Sequence, residues 1–106
     1  MRLLSKINVV KLPERIKVGE TWYTIQYHGE LYDEKNQKLY GNCDFTSATI
    51  KIVPNPKCWK NTLRHELTHA VSYFMNAGLK ERQIDQMTNG LGMLFIDNPA
   101  LKDVIL

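Results

Sequence analysis

The chain is poor in sulfur ligands and has no long apolar run. Its 106 residues include two cysteines, Cys43 and Cys58. Two thiols without a secretion signal read as reduced and intracellular. Met1 to Lys11 carries basic residues, but Ser5, Lys6 and Asn8 break up its apolar ones, so the h-region of a signal peptide is missing. No stretch approaches the roughly 20 apolar residues of a membrane-spanning helix. Runs of one charge are missing too. The net charge is +3, with Lys and Arg scattered among Asp and Glu, which gives no argument for nucleic acid as a partner. There is no internal repeat, low-complexity segment or linker. The expectation is a single domain over residues 1–106, located in the cytoplasm, with the ordinary composition of a globular protein: 43% hydrophobic and 24% charged.

What the chain does have is His65-Glu66-Leu67-Thr68-His69, an H-E-x-x-H pattern. Histidines at i and i+4 stand one above the other on a helix, so two imidazoles can grip one zinc ion. The glutamate between them is turned about 100° around the axis. It reaches the place of a bound water and not the metal, which is the geometry of a zinc hydrolase. Trp59, Leu63, Leu67, Ala70, Val71 and Phe74 recur at helical spacing and form an apolar stripe. The histidines lie roughly 150° from its centre. The helix therefore packs one side on a layer and turns its metal side elsewhere.

Upstream, the residues favour strands. Arg15 to Val18 alternates, Gly19-Glu20 turns the chain, and Thr21 to Tyr27 is rich in β-branched and aromatic residues. Leu31 to Lys38 is polar and reads as a loop. Leu39 to Asp44 and Ala48 to Val53 read as a second hairpin, with Ile50 and Ile52 on one face. Residues 1–12 read as an arm or a short first strand. Downstream, the metal helix extends from about Lys57 to Asn76, with Gly78 as its natural stop. A second helix runs from about Lys80 to Ile96. Ile84, Met87, Leu91, Leu94 and Phe95 share one face of it, and Glu81, Asp85, Thr88 and Gly92 form a narrow stripe beside them. The small residues in that stripe allow another helix to come close. Ala100 to Leu106 reads as a short packed tail. Strands followed by helices predict an α+β domain, a small antiparallel β-sheet packed on two main helices.

A catalytic zinc usually takes three protein ligands and leaves one position open. The glycine and third histidine of the metzincin arrangement would fall at Ser72 and Met75, which excludes that class. His28, at a strand end, is a weak candidate. Cys58 lies seven residues from His65, about 10 Å along the axis, and cannot share the ion. Cys43 has no positional argument. Glu81 and Asp85 remain, at i and i+4 on the stripe that faces the metal helix. Either can be the ligand, with the other orienting a ligating histidine through its free ring nitrogen.

Thr62 to Ala70 resembles the core of small gluzincin-type peptidases. Ile84 to Leu91 resembles the second helix of the ImmA/IrrE-like metallopeptidases and of their compact bacteriophage versions, and Asp97-Asn98-Pro99 resembles the phage type. The likeness covers residues 37–99. It implies a minimal zincin-like domain and, for a phage-encoded protein, the host cytoplasm. In that group the third zinc ligand is an acid three residues before an Ala-Asn-like pair, and Asp85 before Thr88-Asn89 occupies the slot. The group commonly has glutamate there. A different gluzincin pattern has a ligating glutamate followed four residues on by an orienting aspartate, which Glu81 and Asp85 satisfy. Asp85 is placed first and Glu81 second.

The expected activity is zinc-dependent peptide hydrolysis. His65, His69 and the acid hold Zn2+, and Glu66 is the general base toward a zinc-bound water. Tyr73 and His28 are candidates for a further donor to the oxyanion. The strand Ala48 to Val53, if it lies at a sheet edge, would pair with an extended substrate. The partner is a peptide or protein, such as a repressor or host factor. The competing reading is a non-catalytic metal-binding or protein-interaction module of phage or mobile-element origin.

Overall fold

The computed structural model describes residues 12–106. The fold is α+β. A four-stranded sheet and a small two-stranded ribbon come first, and three helices follow, two of them long.

Strand β1 (Arg15–Val18) and strand β2 (Thr21–Tyr27) form the expected hairpin, with Val18 paired to Thr21. Gly19 turns it with a φ of 61°, in the left-handed region that glycine enters without strain. A Cβ at Gly19 would also strike the ring of Phe74. The segment expected as a polar loop holds a short ribbon instead, β3 (Leu31–Tyr32) against β4 (Lys38–Leu39). Asp33 closes it by accepting backbone N–H bonds from Lys35 and Gln37. Strands of two residues are too short to leave an alternating pattern in the sequence.

Strand β5 (Gly41–Asp44) and strand β6 (Thr49–Ile52) form the second hairpin. The sheet order is β1-β2-β6-β5, and β6 runs parallel to β2. The expected antiparallel sheet is therefore corrected to a mixed one. The condition set for residues 48–53 as a peptide-pairing strand is not met: β6 lies inside and β5 is the outermost strand on that side among the described residues. Burial explains the choice. Ile50 and Ile52 of β6 are fully buried, whereas β5 reads Gly-Asn-Cys-Asp and tolerates an edge. Docking the hairpin with β6 inward covers the isoleucines and necessarily sets β6 alongside β2 in the same direction.

Helix α1 (Trp59–Phe74) lies across this sheet. Leu63 and Ala70 enter a core with Val18, Tyr23, Ile25, Ile50 and Ile52, and Trp59 and Leu67 pack against it. The expected stripe is shorter than its pattern. Val71 and Phe74 are about half exposed, and Glu66 and Ser72 are buried in addition. Ser72 organises the turn that follows: its carbonyl accepts from Ala77 N–H and its hydroxyl from Leu79 N–H. Gly78, at φ 63°, lies in that turn.

Helix α2 (Glu81–Asp97) returns along α1. The narrow stripe faces α1 as expected. Thr88 Oγ1 donates to Thr68 Oγ1 at 3.3 Å, and Gly92 sits under the Arg64 side chain. Of the wider apolar face, Ile84 is fully buried while Met87, Leu91 and Leu94 remain partly exposed. The tail forms a short helix α3 (Leu101–Ile105). No helix among the described residues is long and apolar enough to cross a membrane. The reading of residues 1–12 falls, but for Leu12, outside the described part of the chain.

Candidate metal centre

Residues His65 and His69 stand on the side of α1 that faces α2, one turn apart. Their ring centroids are 4.9 Å apart, with the planes at 71°. Both present Nε2 to the same carboxylate. Glu81 Oε1 lies 2.6 Å from His65 Nε2, and Glu81 Oε2 lies 2.8 Å from His69 Nε2. One donor atom from each of these three residues falls within 4.8 Å of the others, which makes His65, His69 and Glu81 a group that can hold a metal ion. In comparisons with known proteins, no family model matches the chain, and no curated protein or solved structure matches it significantly.

The donor set fits a divalent cation. Two imidazoles and a carboxylate converge on one point, and in the metal-free state their close contacts need shared protons that a cation would displace. Asp85 lies outside the group. Its Oδ1 is 2.9 Å from Nδ1 of His65, on the opposite edge of that ring. Nδ1 is the nitrogen that stays free when Nε2 ligates, so an acid at this edge is placed to orient the ring. The geometry thus puts Glu81, ranked second from the sequence, in the group, and Asp85, ranked first, beside it. The reason is the path of α2, which runs back along α1. Its first turn carries Glu81 to both histidines, and one turn later Asp85 has moved toward the amino end of α1 and meets only the outer edge of His65. The i, i+4 spacing puts both acids on one face but does not say where along α1 they land.

The side chain of Glu66 reaches toward β5 and borders the same cavity as His65 and Glu81. It is buried, and burial pushes its carboxyl up to about 7; His65 opposes the rise and Glu81 adds to it. Gly41 of β5 makes the room. A Cβ at Gly41 would lie 2.6 Å from Thr62 Cγ2 and 3.1 Å from Glu66 Oε2. Sequence reasoning missed Gly41. The available signal was a glycine inside a strand, which marks close backbone or side-chain approach. Tyr40, Gly41, Asn61 and Thr62 join His65, Glu66 and Glu81 around a cavity of about 230 Å³.

A second cavity, of about 530 Å³, opens beside His69 and is lined by Phe45, Ser72, Tyr73 and Leu79 among others. Tyr73 does border the site, but its ring is stacked on Phe45 at 4.2 Å. His28 is not in the metal group; its Nε2 lies 3.1 Å from Gln26 Oε1 at the end of β2. Cys43 and Cys58 are free thiols and do not join the group either. An apolar groove between α1 and α2, about 490 Å³ and lined by Leu67, Val71, Met87, Leu91 and Phe95 among others, shares no residue with the His-His-Glu group.

Backbone groups complete the picture. Val53 N–H donates to Tyr40 C=O, so Tyr40, Asn42 and Asp44 are the residues of β5 bonded to β6. Gly41 and Cys43 therefore turn their N–H and C=O to the open side of the sheet, next to Glu66.

Proposed function

We propose that this chain is a zinc-dependent peptidase of the gluzincin type, with His65, His69 and Glu81 as the metal ligands and Glu66 as the general base. A zinc ion held by these residues supplies Lewis-acid chemistry, polarising a carbonyl and acidifying water. Glu66 accepts a proton from the attacking water and delivers it to the departing amine. Its raised pKa matches both tasks near neutral pH, since a base that is too weak takes no proton and one that is too strong does not return it. Asp85 fixes the His65 ring in the orientation that ligation needs. The outward backbone groups of Gly41 and Cys43 accept an extended peptide as an added strand, which makes a peptide or unfolded protein the natural substrate.

One observation carries this reading: two Nε2 atoms and a carboxylate converge on one side of α1 while a buried carboxylate with a raised pKa lies next to them. A closed structural site has no use for the second acid. Glu66→Gln is the direct test. The variant is expected to bind zinc as the parent does and to lose at least a hundredfold in peptide turnover. Equal turnover in a zinc-loaded Glu66→Gln protein would remove the mechanism.

A further inference from the structure

Two cavities flank the candidate metal group along the direction of β5. One contains His65, Glu66 and Glu81 and begins at Tyr40 and Gly41. The other contains His69 and is walled by Phe45, Tyr73 and Leu79. Strand β5 runs from the first to the second. A peptide laid on its open edge therefore has one half over Gly41 and the other over Phe45.

Which half is which follows from two independent arguments. The first is chemical. In peptide hydrolysis by water, the C–N bond breaks, the water oxygen stays on the new carboxylate, and the nitrogen leaves with a proton. Glu66 returns that proton, so the nitrogen, with the carboxy-terminal half of the substrate, lies over the Glu66 and Gly41 end. The second is structural. Antiparallel pairing is the more stable arrangement of an added strand, and it sends the substrate's amino-terminal half toward Phe45. Both place the residues before the scissile bond against the cavity beside His69.

That cavity has a chemical preference. Phe45 and Tyr73 stack face to face with 6° between their planes, a flat apolar wall, and Leu79 is also part of the lining. The residues that line it include no Asp, Glu, Lys or Arg. We infer that the cavity walled by Phe45, Tyr73 and Leu79 receives an apolar or aromatic side chain from the amino-terminal side of the scissile bond and sets the cleavage specificity. The inference rests on the peptidase reading above.

The test uses zinc-loaded full-length protein and a mixed library of unstructured peptides, with cleavage sites read by mass spectrometry. At one of the two positions before the cut, Leu, Met, Phe and Tyr are expected to exceed Asp and Gly by about tenfold or more. Tyr73→Glu, at a position 62% exposed and so tolerant of change, is expected to move the preference toward Lys and Arg. Tyr73→Phe is expected to keep the parent pattern. A readout independent of turnover is the Kd of fluorescein-labelled peptides for the Glu66→Gln protein. A peptide with Leu or Phe at the selected position should bind about tenfold tighter than its Asp counterpart. Cleavage without selection before the cut, or with selection only after it, overturns this inference and leaves the peptidase reading intact. A protein that holds zinc and cuts nothing overturns both.

Discussion

Asp85 Oδ1 lies 2.9 Å from Nδ1 of His65, on the edge of the ring opposite the nitrogen that meets Glu81. The proposed assignment gives the two acids of α2 separate tasks, and substitution separates them. Glu81→Ala removes a proposed ligand and is expected to abolish tight zinc binding. Asp85→Ala leaves the three donors in place and loosens one ring, which typically weakens affinity by about 10–100-fold. Competition against a chromophoric chelator measures both. If Glu81→Ala binds zinc like the parent while Asp85→Ala does not, the ligand is Asp85 and the assignment is reversed.

Strand β5 approaches α1 at a position where only hydrogen fits. In Gly41→Ala the new methyl meets Thr62 Cγ2, on a β-branched side chain with little freedom to turn away. Relief comes from moving β5 off α1, at a cost of about 1–3 kcal/mol. Thermal unfolding should show a loss of several degrees. Turnover should fall as well, because the same shift carries the open edge of β5 away from Glu66. A Gly41→Ala protein with parental Tm and parental turnover rules out the close approach.

The sequence makes some features legible for physical reasons and hides others. The histidine pair, the glutamate beside it and the two long helices depend on short-range spacing, and helical geometry converts spacing into faces directly. Thr88 and Gly92 were readable as a contact stripe because small residues at helical intervals have few other uses. The parallel pairing of β2 with β6 was not readable, since it depends on where a hairpin docks and not on either strand alone. The two isoleucines of β6 did carry a hint, because an alternating strand with fully buried apolar residues is better suited to the middle of a sheet than to its edge. Which of Glu81 and Asp85 would fall between the two histidines was not readable for the same long-range reason: it turns on the level at which α2 crosses α1, which the turn around Ser72 and Gly78 determines.

Glu66 gives the metal-free protein a characteristic pH dependence. Its carboxyl is raised from 4.5 to about 7 in the fold, first by burial. The folded state thus holds a proton that the unfolded chain has already released between those values. The stability this supplies is complete below about 4.5 and is lost as the pH rises through about 7. Glutamine imitates the protonated form at every pH. With zinc removed by chelator, Glu66→Gln and the parent should match in stability near pH 4.5. The variant should become the more stable by up to about 3 kcal/mol above pH 7. Denaturant titrations at a series of pH values check this, and two curves that stay parallel would show that Glu66 ionises normally.

Cys43 tests the electrostatics of the same corner from the sheet side. Its thiol sits half-buried on β5, and burial pushes its pKa up to about 12, with the negative charges of Glu66 and Asp44 adding to the rise. The thiolate is the reactive species, so alkylation depends on its fraction. A thiol with an ordinary pKa approaches its full rate once the pH passes about 9. Cys43 should instead react slowly at pH 8 and keep accelerating, nearly tenfold per pH unit, to the limit of the protein's alkaline stability. Denaturant should abolish the difference. Peptide mapping after timed iodoacetamide treatment distinguishes Cys43 from Cys58. Replacing Glu66 by Gln removes one of the repelling charges and should raise the Cys43 rate, whereas an unchanged rate would mean that burial alone protects the thiol and that Glu66 does not face β5 as a charge.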